Sequence, residues 1–291
     1  SNVKTAVDYQ GHGMIRATVF QLLRYVQEYV NRNSEVPRST IFCFEEPEIF
    51  LHPSAANQMR DAIYDLASPG CQIISTTHSP YMINLGSEKS VSLCKFHIVD
   101  NGFATSKTLN LDYAFEQLKT DEKQNLKMLL KIDDYISRMF FARKSIFIEG
   151  DTEEIVVRET LRRLPLEFRT RVIGNIEFLR ARGKPVLISI AKYLNVLGIN
   201  YHIIHDRDQG SSKADSVNNA ISAAAGEENR TMLEECIEDI LGYKAPSSEK
   251  PFTAYSHIQN SWSESFDSVP EKWKKVFLKV CSPYLDELNE E

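Results

Sequence analysis

The sequence predicts an α/β fold in two parts: a lobe of parallel sheet with covering helices, then a second α/β domain with additional helices. Three observations carry that expectation. Short apolar runs alternate with amphipathic stretches, the pattern of strands joined by crossover helices. Two of the runs, Ser145-Ile146-Phe147-Ile148-Glu149 and Ile203-Ile204-His205-Asp206, stop abruptly in carboxylates. The 291 residues are enough for two domains, since a single core typically serves roughly 100–200 residues.

In order along the chain, Ile15, Val19, Leu22, Leu23, Val26 and Val30 recur at helical spacing, which predicts a helix over 14–31. Gln10-Gly11-His12-Gly13 punctuates its start. A buried strand is expected at 39–44, a helix with Pro at its first position at 53–67, and another strand at 72–75. Residues 90–109 read as two β-rich pieces around Asp100-Asn101-Gly102, a hairpin signal. The stretch 111–143 turns charged and helical, a connector between a first domain at 1–110 and a second at 144–291. In the second domain the pattern predicts strands at 144–149, near 171–178 and at 200–206. Helices are expected at 152–162, 186–197, 213–224, 229–242 and 268–279.

Composition sets outer limits. Hydrophobic residues are 42% and charged residues 25%, as in ordinary globular chains. No apolar run approaches the ~20 residues that span a bilayer, and no signal-peptide-like region opens the chain, so a cytoplasmic protein without a membrane partner is expected. Five scattered cysteines, none in a C-x-x-C pair, suggest neither a disulfide framework nor a zinc site. The net charge of −6 argues against a wholly basic nucleic-acid wrap. A local basic groove beside a cation-filled acidic site is compatible with it.

Two constellations carry chemistry. In the first, Ile41-Phe42-Cys43-Phe44-Glu45-Glu46-Pro47-Glu48 sets acids at the C-terminal end of a strand, where open α/β sheets bind ligands. One acid suits Mg²⁺ and the next an attacking water, while His78, at the end of the strand through Ile73 and Ile74, suits a γ-phosphate. E-E-P-E-x-x-L-H-P followed by S-T-T-H-S-P resembles the Walker B, D-loop and switch-histidine region of ABC-type ATPases, especially those of the OLD (overcoming lysogenization defect) family. The resemblance implies Glu45 as metal-binding acid, Glu46 as catalytic carboxylate and His78 as phosphate sensor. It also implies that Gly11 and Gly13 belong to a signature motif contacting nucleotide across a homodimer interface on the ATPase side. No G-x-x-x-x-G-K-[ST] occurs anywhere in the chain, so its phosphate-cradling loop is removed, disordered or absent by nature. This chain alone is expected not to hydrolyse ATP, and ATP with Mg²⁺ belongs to the complete ATPase domain.

In the second constellation Glu149 ends a strand, Gly150 allows a tight turn, and Glu153 falls in the first turn of the next helix. Asp206 and Asp208 flank Arg207 at the end of a later strand, and i, i+2 residues of an extended chain project to one side. Four converging carboxylates repel one another unless hard cations such as Mg²⁺ or Mn²⁺ join them. E-G-x-x-E, then D-x-D-x-G 57 residues on, resembles the Toprim domain of topoisomerases, primases and OLD nucleases. The likeness implies that Glu149, Glu153, Asp206 and Asp208 bind two divalent metals for hydrolytic cleavage of DNA. Taken singly, each motif also reads as a capped helix start or a polar turn.

Weaker candidates surround these. Glu238 suits a further metal ligand or a solvated helix face, and Lys250 in Glu249-Lys250-Pro251 resembles a late lysine of OLD nucleases, which implies a cation that neutralises transition-state charge, the alternative being a surface lysine. Gly183-Lys184-Pro185 suits a phosphate-contacting turn or a plain strand-to-helix connection, and His205 a proton-transfer group or a strand residue. Arg143, Lys144, Arg180, Arg182 and Lys184 are candidates for DNA phosphates, while Tyr255, Trp262 and Phe266 read as helix packing. The expectation is a Toprim endonuclease or nickase, gated in the intact protein by the ATPase, with a role in phage defence permitted by the resemblance. The alternatives are topoisomerase-like or primase-like chemistry, or an ATP-driven DNA clamp without catalysis.

Overall fold

A computed structural model describes residues 12–33, 39–84, 91–98, 102–208 and 212–289. The chain divides into two compact units, Ser1–Ser90 and Val91–Glu291.

In the first unit, α1 (His12–Asn33) precedes β1 (Thr40–Glu45), α2 (Pro53–Leu66) and β2 (Cys71–Thr76). The two strands pair in parallel, with Glu45 opposite Thr76, because the intervening helix returns the chain to the same end. Proline at the first turn of α2 loses an N–H that has no helical partner anyway, and the His52 ring accepts from the Ser54 amide at 3.4 Å. Phe20 of α1 packs with Met59, Ile63, Leu66 and Met82 over Phe44 and Ile73. The α1 helix begins at His12, so Gly13 lies in its first turn, and Gly11 lies outside the described residues.

The second unit opens with an antiparallel hairpin, β3 (Ser92–Ile98) and β4 (Ala104–Asn110). Expected at the end of the first domain, this hairpin groups with the second unit. Lys95 Nζ donates to the carbonyl of Ala142 at 2.6 Å, and Lys107 Nζ to that of Gly198. The connector forms α3 (Leu111–Glu116), α4 (Thr120–Ile132) and a 3-10 segment over Asp134–Phe140.

The centre of this unit is a four-stranded, all-parallel sheet of β5 (Lys144–Ile148), β6 (Ile176–Arg180), β7 (Tyr201–His205) and β8 (Arg230–Met232), in the order β6-β5-β7-β8. The helices are α5 (Asp151–Arg163), α6 (Leu166–Ile173), α7 (Lys184–Leu197), α8 (Ser212–Ala225), α9 (Ile237–Leu241), α10 (Lys250–Ser261) and α11 (Glu271–Cys281). Both inner strands are buried on both faces, which explains why Ile146-Phe147-Ile148 and Ile203-Ile204 are apolar without alternation. Ile146, Ile148 and Ile204 enter one core with Val156, Trp273 and Phe277, and the Trp273 indole N–H is satisfied by Thr160 Oγ1 at 2.8 Å.

Three expectations are corrected. Residues 171–178 are not one strand, because α6 runs to Ile173, Gly174 ends it, and β6 starts only at Ile176. The helix expected over 229–242 is the short edge strand β8 followed by the one-turn α9. The α10 helix was not anticipated, and Tyr255 on it is 46% exposed instead of packed. Among the described residues no helix is long and apolar enough to cross a membrane.

Candidate active site

The chain leaves β5 and turns to one side of the sheet, then returns on the other side as β7, so a crevice opens beyond the carboxyl ends of these neighbouring strands. Glu149 follows β5 and Asp206 follows β7, which places both at this switch point. The Asp206 amide donates to Glu149 Oε1 at 2.7 Å and ties the two strand ends together. Glu153 sits in the first turn of α5, and its Oε2 accepts from the Gly150 amide at 3.0 Å, a reach back to an unpaired helix-start donor.

A cavity of about 280 Å³ joins these groups. Its walls include Glu149, Glu153, Asp206, Asp208, Glu238 and Lys250. With Asp151, which also lines it, six carboxylates and one ammonium share one space, drawn from the end of β5, α5, the segment after β7, α9 and α10. Glu238 is 1% exposed, so it is not the solvated helix face that its surroundings in the sequence allow. Its Oε1 lies 3.5 Å from Lys250 Nζ, and neither of its oxygens has a hydrogen-bond partner. Asp206 Oδ1 is likewise buried without one.

Such crowding has an electrostatic signature. Burial first, then Glu153, Glu149, Asp208 and Glu238, push the Asp206 carboxyl up to about 8. Burial also pushes Glu149 up to about 7, against the opposing pull of Lys184, and raises Glu153. Unpartnered buried oxygens and disfavoured carboxylate charge are what an all-oxygen site for a hard dication looks like before the ion arrives, so the residues fit Mg²⁺ or Mn²⁺. Among the described residues, however, no three His, Cys, Asp or Glu side chains stand close enough together to hold an ion as they are.

Lys184 lies beside two of these acids. Gly183-Lys184-Pro185 is the plain strand-to-helix connection from β6 into α7, and Lys184, also a candidate for DNA phosphates, is only 8% exposed there. Its Nζ contacts Asp208 Oδ2 at 2.7 Å, the Asp206 carbonyl at 2.5 Å, Asn218 Oδ1 at 3.2 Å and Glu149 Oε1 at 3.8 Å. The backbone nearby is unusual: Arg182, Asp208 and Glu249, the residue before Lys250, all have positive φ without being glycine.

Other basic candidates are engaged elsewhere. Arg180 pairs with Asp151 at 2.6 Å and Glu154 at 2.8 Å, Arg182 lies 3.9 Å from Asp133, and Lys144 donates to the Val280 carbonyl at 2.7 Å. His205 is 1% exposed and does not line the cavity, and burial holds its ring down to about 4, so it is a neutral strand residue.

In the first unit, Glu46 leaves β1 with φ 42 and its amide donates to the Thr76 carbonyl at 3.2 Å. Its carboxylate accepts from the His78 amide at 3.1 Å, and the His78 ring, 94% exposed, lies 3.4 Å from it. The structure thus brings Glu46 and His78 together, with Glu45 exposed on the adjacent strand end. Sequence reasoning gave no role to Glu48, which is 8% exposed and takes a short hydrogen bond from Thr77. Burial raises its carboxyl.

Comparison with known proteins divides the chain in the same order. The AAA ATPase domain family model matches residues 1–83, and the overcoming lysogenization defect protein-like TOPRIM domain model matches 140–208. Old nuclease of Escherichia phage P2 is 28% identical over 200 residues, 68% of this chain and 33% of that protein. OLD nuclease of Thermus scotoductus is 22% identical over 229 residues, 72% of this chain and 42% of that protein. Endonuclease GajA of Bacillus cereus is 27% identical over 163 residues, 51% of this chain and 24% of that protein. This chain therefore spans well under half the length of these relatives. Glu149, Glu153, Asp206 and Asp208 fall within the matched TOPRIM segment, whereas Glu238 and Lys250 join them only through the fold. An AAA ATPase-type segment is thus followed by an OLD-like TOPRIM segment, and in that order the chain is similar to the OLD nucleases.

Proposed function

We propose that the second unit is a metal-dependent DNA endonuclease or nickase, and that the complete ATPase domain gates it in the intact, homodimeric protein. The observation that carries this reading is the one cavity into which five separate elements place Glu149, Glu153, Asp206, Asp208, Glu238 and Lys250. The relatives named as nucleases are consistent with it. Two divalent ions, when bound by these carboxylates, would supply a water nucleophile at neutral pH and neutralise the leaving oxygen.

The chain's own residues divide the remaining work. Asp206 and Glu149, fixed to each other through the Asp206 amide, set the spacing of the two strand ends. Glu153 is held by the first turn of α5 with one oxygen on the Gly150 amide. Lys250, half-exposed at the cavity and anchored by Glu238, offers its ammonium to a phosphodiester oxygen that gains charge in the transition state. Two metals, the nicking outcome and cytoplasmic action against phage DNA are parts of the same proposal.

Supercoiled-plasmid nicking tests it. Mn²⁺ or Mg²⁺ should support conversion to open circles by the wild type, and Asp206→Ala should abolish it. Equal residual nicking by both proteins would reject the assignment. A DNA adduct trapped on denaturation would favour topoisomerase-like chemistry instead.

A further inference from the structure

Behind two of the acids that line the cavity sits a buried cation of the chain, Lys184, which does not itself line it. Lys184 is 8% exposed, and its ammonium reaches four oxygens drawn from four residues of the site and its supports. Two of them are carboxylates assigned above to metal, Asp208 and Glu149. The other two, the Asp206 carbonyl and Asn218 Oδ1, are neutral anchors that hold the ammonium in place without competing for charge. Asn218 in turn donates from Nδ2 to the Arg207 carbonyl at 2.7 Å, so Lys184 and Asn218 hold the carbonyl side of the 206–208 turn, while its amides donate to Glu149 and to the Glu235 carbonyl.

The approach is specified by the sequence around it. Arg182 at φ 58 and Gly183 at φ 122 bend the chain sharply before α7, and Lys184 is the first residue of that helix with Pro185 second, so its side chain reaches the turn after β7. Asp208 also has positive φ, at 53, an uncommon conformation that its contact with Lys184 helps to fix.

We propose that Lys184 is a positioning residue: an internal counter-ion that holds the Asp206–Asp208 turn in the metal-free protein and competes with the dication for Asp208 and Glu149. Resting on the metal-dependent reading above, this adds a specific consequence. A lysine with an aqueous route out can leave as metal enters, but this one stays within a few ångströms and lowers dication affinity by charge repulsion. It thereby sets the metal concentration at which the site fills. The arrangement also explains why acids lining one cavity do not gather as a ready-made ligand set.

Calorimetric titration of Mn²⁺ into metal-free protein tests the idea without any cleavage assay. Lys184→Gln removes the charge and retains a hydrogen-bond donor, whereas Lys184→Arg keeps the charge. A unit charge at such range is worth enough that Gln should tighten Mn²⁺ binding on the order of tenfold, with Arg staying within about threefold of wild type. The metal-free melting temperature of the Gln variant should fall. Equal or weaker Mn²⁺ binding by a folded Gln variant would overturn the proposal while leaving the metal site intact. No Mn²⁺ binding by the wild type would overturn the metal reading and this inference together. The wild type offers an independent measurement should the Gln variant not fold. The Lys184 side-chain ammonium, assigned by its loss in Lys184→Arg, should give an exchange-protected NMR signal that shifts or broadens on Mg²⁺ addition. A signal unmoved at saturating Mg²⁺ contradicts competition.

Discussion

The Asp206 amide donates to Glu149 Oε1 at 2.7 Å, so one carboxylate serves both as a tie between two strands and as a wall of the acidic cavity. These two duties separate by mutation. Glu149→Gln keeps an acceptor for the amide and removes the charge, so it should fold like wild type and lose metal-dependent nicking by at least ~100-fold. Glu149→Ala should lose the same activity and also about 1–3 kcal/mol of stability, because the amide is left without a partner. Urea unfolding curves beside nicking rates check both. A Gln variant with wild-type nicking would remove Glu149 from the chemistry.

The acid cluster should make the metal-free protein sensitive to alkali. Asp206 is raised from its usual 3.8 to about 8 and Glu149 from 4.5 to about 7. A group raised in this way stays protonated in the folded state where the unfolded chain has already ionised. Its contribution is therefore full below about pH 4 and is lost as pH climbs through the folded values toward 8. Thermal melts in chelator should decline across pH 5–8, and Asp206→Asn should flatten the decline. Added Mg²⁺ should raise the melting temperature more at pH 8 than at pH 6, because ionised carboxylates bind it.

Lys250 pairs with the buried Glu238 at 3.5 Å and is half-exposed to an incoming substrate. Lys250→Met should lower the nicking rate about 10²-fold, the cost of deleting one charge-stabilising donor, with a smaller change in Mn²⁺ affinity. Rates measured at saturating Mn²⁺ distinguish this from weaker metal loading. A full rescue by higher Mn²⁺ would make Lys250 a support of Glu238 alone.

The chain contains no P-loop sequence, although Glu46 and His78 meet at the ends of β1 and β2. Purified as it stands, it should release no phosphate from ATP above background, and its nicking should not respond to ATP. A malachite-green phosphate assay run beside the plasmid assay checks this. Turnover abolished by Glu46→Gln would show that the motif works without a P-loop of its own.

Some of this arrangement was legible in the sequence because strand ends are marked strongly. The runs before Glu149 and Asp206 centre on Ile146-Phe147-Ile148 and Ile203-Ile204, apolar without alternation because β5 and β7 are buried on both faces, and the acids mark where the strands stop. The edge of the sheet was harder to read. β8 has only Arg230–Met232, too short for a period to emerge, and Leu233 and Ile237 beyond it stand four apart like a helical stripe. Arg171-Val172-Ile173 carries β-branched residues yet ends a helix, because Val172 is buried in the core and Gly174 follows as a cap. The strand-to-helix connection at Gly183-Lys184-Pro185 was legible, but the burial of Lys184 was not. Gly-Lys-Pro has the look of an exposed turn, and its burial depends on Asn218 and Asp208, which lie 34 and 24 residues further on. Glu238 and Lys250 were each weighed against a bland surface reading, and what the sequence could not show is that α9 and α10 bring them to one cavity.

Mn²⁺ titration of metal-free wild type and Asp206→Asn, followed by calorimetry, tests the central claim most directly. The account predicts two ions per wild-type chain and loss of at least one of them in the variant, with far-UV circular dichroism unchanged. No binding by the wild type, or identical binding by the two folded proteins, would contradict it.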